Sequence, residues 1–463
     1  MTLTNWQDKR VVIIGAARQG LALARYLARH NAVVILNDKR TKEQLTAEME
    51  SLANVAIEWV IGGHPAAILD PRPDLVCISG GVPLDNPLVV LAQKAGIPIS
   101  NDTQIFMETV PCKTIGITGS AGKTTTTTLV GRIAKADEEK LYSKIWIGGN
   151  IGDPLLNYVD DMKSTDLAIL EISSFQSELM TISPTIGTIL NITPNHLDRH
   201  GTMESYTAAK ARVITNQKST DCAILGRDDQ TAWVLSKTLS SHLLSFGFGP
   251  LNAGQDGAFL EDNKFFLRQG DIITRLAVED VIELRGEHNR LNVLAACTIA
   301  HAAGFTPEVM RKGITNFHGV PHRLELIRTW NGSNWYNDSI ATAPERTIAA
   351  IRAFDTPIVL LLGGRDKNLP WDELARLIHA RVDHVIIFGE AAGKIEAALQ
   401  QEKTGSLPTS VTRVEKCKEA VIAASTLVKP GVSVLFSPGG TSYDEFKDFE
   451  ERGERYKQWV LEF

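Results

Sequence analysis

Short apolar runs alternate with segments of helical spacing along almost the whole chain. Arg10-Val-Val-Ile-Ile-Gly15 is apolar for too few residues to be a helix and reads as a buried strand. Gln19 to Arg29 repeats its apolar residues at helical spacing, and Val33-Val-Ile-Leu-Asn-Asp38 is a second strand, so the chain opens as a βαβ unit. Further strands at Leu75 to Ser79 and Ile97 to Ser100 complete a first domain of normal size, taken as residues 1–101.

A second series begins with Thr114-Ile-Gly-Ile-Thr118 and continues with strands at Ile145 to Ile147, Leu167 to Ile172, Thr185 to Asn191 and Cys222 to Leu225. Helical segments separate them, which predicts a mainly parallel sheet. From Leu243 to Leu284 the pattern turns to short strands with Gly and Asp-Asn turns, a small antiparallel appendage. Helices from His288 to Ala303 and Pro307 to Asn316 close this domain, residues 102–319. The third, 320–463, begins with a hairpin around Asn331-Gly332 and a helix opened by Pro344. Apolar segments at Ile358 to Leu362, Leu374 to Ala380, Val385 to Phe388 and Val432 to Phe436 follow, with a helix from Tyr443 to Val460 last. The fold class is α/β in three domains.

Composition narrows the class without adding chemistry. The 43% hydrophobic and 22% charged residues are those of a soluble globular protein, and a net charge of −6 gives no reason to expect nucleic acid or an anionic membrane as a partner. The N-terminus lacks the apolar core of a signal peptide and no run approaches a membrane span, so a cytoplasmic location is expected. The cysteines at 77, 112, 222, 297 and 417 have no paired spacing and read as small core residues.

The strongest chemical signal is Gly116-Ile-Thr-Gly-Ser-Ala-Gly-Lys-Thr-Thr125, a strand that turns through glycines into Lys123. Such a loop at a helix start presents backbone N–H groups and a helix dipole to phosphate. Gly119, Ser120, Ala121 and Gly122 would cradle the anion with Thr125, Lys123 would reach the terminal phosphates and Thr124 would ligate Mg2+. The spacing departs from the common one, whose first glycine would fall at Ile117. At the first turn Gly15 and Gly20 lack the middle glycine of a dinucleotide fingerprint; Asp38 stands where a sugar hydroxyl can be bound or a strand end capped.

Other candidates collect at strand ends. Glu171 sits in an apolar run, where a carboxylate is costly unless paired or bound to metal. His196 and Asp198 follow the next strand; Lys210, on its own, reads as a solvated cation. Gly286-Glu-His-Asn-Arg-Leu-Asn292 offers amides for a base or a helix cap, Arg323 could clamp a phosphate, and Asn337-Asp-Ser339 could bind ribose or metal-bound water. Lys367 and the Ser437–Ser442 segment form a plausible carboxylate receiver.

Taken in order, the phosphate loop, Gly149-Asn-Ile-Gly152, Glu171-Ile-Ser-Ser-Phe-Gln176, His196-Leu-Asp-Arg199, Gly286-Glu-His-Asn289, Pro321-His-Arg323 and Asn337-Asp-Ser339 resemble the motifs of the Mur ligases, over almost the entire length. The short first domain and the ending Ser442-Tyr-Asp-Glu-Phe-Lys-Asp-Phe-Glu-Glu-Arg-Gly453 are most similar to the glutamate-adding members. The resemblance implies Rossmann-like terminal domains around a central ATPase-type domain, and amide synthesis through an acyl phosphate in peptidoglycan precursor synthesis. UDP-N-acetylmuramoyl-L-alanine, D-glutamate and ATP would be the substrates and the chain a monomer.

It implies two Mg2+ sites, with Thr124, Glu171, His196 and a carbamylated Lys210 as ligands, and catalytic relevance for Lys123, Tyr206 and Arg452. Asn289, Asn292, His322, Arg323 and Asp338 would face ATP. Gly15, Asp38, Gly81, Asn150 and Ser173 would face the UDP-sugar, and Thr342, Lys367, Ser442 and Phe449 the glutamate. Because Lys123 and Arg323 come from different domains, closure around one nucleotide is expected.

Three positions depart from the family pattern: Asn195 replaces an Asp before the metal His, Ala121 replaces the loop Asn, and Ile340 replaces a lysine beside the amino-acid site. Ile340 keeps open a ligase that adds L-glutamate or another amino acid. Readings of another kind are a P-loop ATPase acting as a conformational switch and, on Gly15 and Gly20, a nicotinamide oxidoreductase.

Overall fold

The computed structural model describes residues 5–282, 287–366, 369–402 and 410–463. The chain divides into two compact units, Met1–Phe317 and His318–Phe463. Among the described residues it forms three sheets, two in the first unit and one in the second.

The first sheet holds β1 (Arg10–Ile14), β2 (Val33–Asp38), β3 (Ile57–Ile61), β4 (Leu75–Ile78) and β5 (Ile99–Ser100), all parallel, in the order β3-β2-β1-β4-β5. Strand β3 is absent from the sequence reading. Every one of its residues is at least partly exposed, so Ile-Glu-Trp-Val-Ile lacks the uniform apolar run of a central strand and reads as edge.

The second sheet holds β6 (Lys113–Thr118), β7 (Ile145–Gly149), β8 (Leu167–Glu171), β9 (Ile186–Ile189), β10 (Cys222–Gly226), β11 (His242–Phe248), β12 (Asp256–Glu261), β13 (Lys264–Gln269) and β14 (Ile272–Arg275). Its order is β14-β13-β12-β11-β10-β9-β6-β8-β7. The antiparallel part expected from Leu243 onward is β12-β13-β14, but it continues the parallel sheet through β11, which pairs with β10. In the middle, β6 lies between β8 and β9, so the phosphate loop, Glu171 and Asn191 leave the sheet at one edge. Ligands of open α/β sheets bind at this edge.

The third sheet, in the second unit, holds β15 (Glu325–Trp330), β16 (Ser333–Asn337), β17 (Ile358–Gly363), β18 (His384–Phe388), β19 (Ser410–Arg413) and β20 (Ser433–Gly439), ordered β15-β16-β20-β17-β18-β19. The hairpin turn is the two-residue Asn331-Gly332, both at positive φ (49° and 75°), as a turn matching strand twist requires. The last helix begins at Phe449 and not at Tyr443. Asp448 stops it: its backbone is extended (φ −159°) and its side chain accepts the Glu451 N–H, so residues 443–448 stay a loop.

Four of the five cysteines are buried and all are free, in keeping with the reading as core residues. No helix among the described residues is long and apolar enough to cross a membrane.

Candidate active site

The helix Lys123–Lys135 starts at Gly122, whose φ of +84° suits glycine and where a Cβ would stand 2.3 Å from the Asn292 side chain. Residues 119–122 are fastened to the segment after β9. Ala121 N–H donates to Asn191 Oδ1 (2.9 Å), Asn191 Nδ2 returns to the Ala121 carbonyl (3.1 Å), and Ser120 N–H donates to the Asn191 carbonyl (3.0 Å). Asn191 was not singled out in the sequence; its place just beyond a strand end was the available signal. Ser120 Oγ donates to the Thr193 carbonyl at 2.9 Å, which leaves buried Tyr206 to donate its hydroxyl proton to Ser120 at 3.0 Å. Lys123 Nζ donates to the carbonyl of Gly119 at 2.9 Å. Asn292 reaches the same helix, with its Oδ1 3.5 Å from Thr126 Oγ1 and its Nδ2 3.1 Å from Asn289 Oδ1.

Lys210 is the clearest reversal of a surface reading. It lies on the helix Met203–Thr215, is 1% exposed, and donates to Gly119 O (2.9 Å) and Thr118 Oγ1 (3.3 Å). Burial, and then repulsion from Lys123, push its ammonium down to about 6, against the pull of Glu171. Near neutral pH it is largely an uncharged amine.

Glu171, 2% exposed at the end of β8, accepts the Asn150 amide on Oε1 (2.7 Å), while Oε2 is buried with no hydrogen-bond partner. An unpartnered buried carboxylate oxygen is expensive, and a hard cation is what would satisfy it. Thr124 stands in the first turn of the helix Lys123–Lys135, so these donors fit Mg2+. Asn150, expected at the UDP-sugar, has its side chain on Glu171, and Gly149 is required there because a Cβ would meet the Glu171 carbonyl at 2.4 Å. No cluster of three or more His, Cys, Asp or Glu suited to a metal occurs among the described residues.

His196 is exposed, at φ +52°, with its ring 5.1 Å from Phe175; Asn195 and Ala121 are exposed as well. The sequence reading missed the cluster behind it. His200 stacks on Phe175 (5.3 Å, 6°) and bonds Ser174 Oγ at 3.0 Å, and Arg199 covers Phe175 at 4.4 Å while donating to the carbonyls of Gly81 and Val82. The His-x-x-x-His spacing of residues 196 and 200 was the signal. Ser173 caps the helix Ser174–Ser177 in a capping box with Gln176. At the first sheet Asp38 accepts the Ala16 N–H (2.8 Å) and pairs with Arg40 (3.0 Å). Burial alone would raise this carboxyl; the Arg40 bonds outweigh it and bring it to about 2. Gly15, at φ +95°, has no room for a Cβ beside Val82.

In the second unit Asp338 follows β16, buried, accepting Ser437 Oγ (2.8 Å) and the Leu324 N–H (3.2 Å). Burial raises its carboxyl to about 6 against these bonds and the charges of Arg323 and Arg346. His322 is buried at φ +63°, with Asn337 Nδ2 3.0 Å from its Nδ1, and Arg323 beside it is exposed. Arg452 is fully buried and binds Ser339 Oγ (3.0 Å), Ser339 O (2.8 Å) and Gly440 O (3.0 Å), so it ties two strand-end loops to the last helix. Ser442 is buried, while Thr342 and Phe449 are partly exposed. The Phe449 carbonyl accepts Ser339 Oγ at 2.8 Å. Lys367 and Gly286 lie outside the described residues.

Comparison with known proteins gives the class, a nucleotide-dependent ligase. The models of the Mur ligase MurD-like N-terminal domain, the Mur ligase middle domain and the Mur ligase glutamate ligase domain match residues 9–101, 117–300 and 322–440. The chain belongs to the Mur ligase family, whose members use ATP and Mg2+.

Among its relatives are proteins named UDP-N-acetylmuramoylalanine–D-glutamate ligase from Symbiobacterium thermophilum and Koribacter versatilis. The first is 36% identical over 98% of both chains, the second 37% identical over 98% of this chain and 97% of the relative. Its fold is like that of UDP-N-acetylmuramate-alanine ligase from Thermotoga maritima (TM-score 0.54, 19% identity, 98% of this chain and 99% of that one). It is also like MurF from Acinetobacter baumannii (TM-score 0.56, 18% identity, 98% and 93%).

Proposed function

We propose that this protein joins D-glutamate to UDP-N-acetylmuramoyl-L-alanine, converting ATP to ADP and phosphate, in the synthesis of peptidoglycan precursors. The substrate assignment is supported by the full-length relatives, and the chemistry by one observation above the rest. A lysine whose amine is largely neutral near pH 7 is buried against the phosphate loop, beside a carboxylate with an unpartnered oxygen.

The alanine carboxylate is a poor electrophile. Transfer of the γ-phosphoryl group to it makes a good leaving group, which the glutamate amine displaces through a tetrahedral intermediate. Lys123 and the N–H groups at the helix start, residues 122–125, hold the phosphates as charge gathers on them, since those of Ser120 and Ala121 are donated to Asn191. Thr124 and Glu171 would hold one Mg2+, and His196 and a modified Lys210 a second; bound there, the cations would neutralise charge on the phosphoryl oxygens.

A neutral amine is the form that the proposed modification requires. Lys210 Nζ attacks the carbon of CO2, an N–C bond forms and one proton leaves the nitrogen, giving an anionic carbamate that can face a cation. Tyr206 positions the loop through Ser120. Asn289, Asn292, His322, Arg323 and Asp338 would face the nucleotide; Gly15, Asp38, Gly81, Asn150 and Ser173 would serve the UDP-sugar, with Asn150 acting through Glu171. Thr342, Lys367, Ser442 and Phe449 would surround the amino acid, and Arg452 is a positioning residue. We assign the domains to residues 1–101, 102–319 and 320–463 and expect a cytoplasmic monomer.

Phosphate release from ATP with UDP-N-acetylmuramoyl-L-alanine, assayed with D-glutamate, L-glutamate and other amino acids in turn, tests the reading. Release with D-glutamate is expected. Release only with L-glutamate or another amino acid, the outcome that Ile340 keeps in view, would correct the substrate.

A further inference from the structure

Glutamate brings two carboxylates to its site, and the loop after β16 must meet them with few cations. From Asp338 to Glu345 it carries none, and position 340 is isoleucine. Arg346 lies just beyond, in the first turn of the helix Pro344–Arg352. Its side chain is exposed and donates to the Ile340 carbonyl at 3.3 Å, and its charge is felt at Asp338.

Arg346 forms no ion pair with a carboxylate among the described residues, whereas Arg365, at the same sheet edge, is held by both oxygens of Glu390 and Lys394 by Asp366. A guanidinium offers five donors in a plane, and one contact to a carbonyl leaves a fork for a carboxylate. The surrounding backbone links this turn to the expected amino-acid receiver. Thr347 Oγ1 donates to the Ser437 carbonyl (3.1 Å) and Gly439 N–H to the Ala341 carbonyl (2.8 Å), on the strand end that leads to Ser442.

We infer that Arg346 grips the side-chain carboxylate of the incoming amino acid and supplies at this loop the cation that Ile340 does not. The inference rests on the ligase reading above and names a specificity residue within it. A dicarboxylic amino acid is selected over its amide because an amide leaves the guanidinium without an anion.

Steady-state kinetics of Arg346→Ala, Arg346→Lys and Arg346→Ala/Ile340→Lys, varying each substrate in turn, test it. In Arg346→Ala the KM for glutamate rises about 10- to 100-fold, the loss expected for one charge-assisted contact, while the KM for ATP and for UDP-sugar moves by less than about twofold. Discrimination between glutamate and glutamine narrows, Arg346→Lys is intermediate, and lysine at 340 restores most of the loss. An unchanged glutamate KM overturns the inference. A parallel rise in the KM for ATP also overturns it, by assigning the guanidinium to phosphate.

A thermal-shift titration with D-glutamate alone reads the site without turnover. A shift in the natural protein that is lost in Arg346→Ala supports the inference; equal shifts in both, or none in the natural protein, overturn it. Absence of phosphate release with every amino acid would instead remove the ligase reading, and the titration would still decide Arg346.

Discussion

Lys210 Nζ lies 2.9 Å from the carbonyl oxygen of Gly119, so an amine from the middle of a helix is held against the loop expected to bind phosphate. A lysine buried with a carbonyl and a hydroxyl as partners is unfavourable as a cation, and the native state keeps it largely as a free base near neutral pH.

That burial has a sign that can be measured. The folded value of about 6 lies below the roughly 10.4 of an unfolded chain. Between the two, the unfolded chain holds a proton that the native state has released, so this group's contribution to stability rises with pH across the window and is least favourable at and below about 6. In buffer stripped of CO2, Lys210→Met therefore raises the first unfolding transition at pH 7 while abolishing ligase activity. Lys210→Ala is also inactive and recovers in part when short-chain carboxylic acids are added. A fully active variant would show that the modification is irrelevant.

Glu171→Gln removes the charge from the unpartnered oxygen, and the Mg2+ concentration for half-maximal activity rises at least about 10-fold. Asn150→Ala, which frees the other oxygen, moves it in the same direction by less. Mn2+ binding followed by electron paramagnetic resonance checks both without turnover, and unchanged affinity in Glu171→Gln would remove this residue from the cation site.

Asp338 has the opposite linkage. Its folded value of about 6 lies above the roughly 3.9 of an unfolded chain. The stability it contributes is fully present below the unfolded value and is lost as pH rises through about 6. The unfolding transition of the second unit falls between pH 5 and pH 7 for the natural protein. In Asp338→Asn, where an amide can still meet Ser437 and Leu324, that fall is flattened, as scanning calorimetry at several pH values would show.

Gly453 sits inside the helix Phe449–Leu461, where a Cβ would stand 2.2 Å from His322 Nδ1. Gly453→Ala displaces that ring from Asn337 and raises the KM for ATP about 10-fold or more, with a smaller effect on the KM for glutamate. Equal effects on both would place His322 away from the nucleotide.

The strands that position the site were legible because they are buried on both faces: Val11 to Ile14, Leu167 to Leu170 and Leu360 to Leu362 are unbroken apolar runs with almost no exposure. The half-exposed β3 gave no such run, and the loop before Phe449 carries aromatic residues at helical spacing that only Asp448 interrupts. Glu171 could be singled out because a carboxylate within an apolar strand is anomalous in one dimension. Lys210 could not: an alanine-flanked lysine in a helix is ordinary until the fold closes over it, and only the family resemblance marked it. Asn191, Phe175 and His200 escaped for the same reason, since what distinguishes them is contact with residues distant in the chain.

The central claim, that this site activates a carboxylate with ATP for attack by D-glutamate, is tested most directly by phosphate release with UDP-N-acetylmuramoyl-L-alanine present. Release that requires the UDP-sugar and D-glutamate together, and fails with either omitted, is the predicted result. Release that proceeds at the same rate without them, or none with any amino acid, would contradict the account.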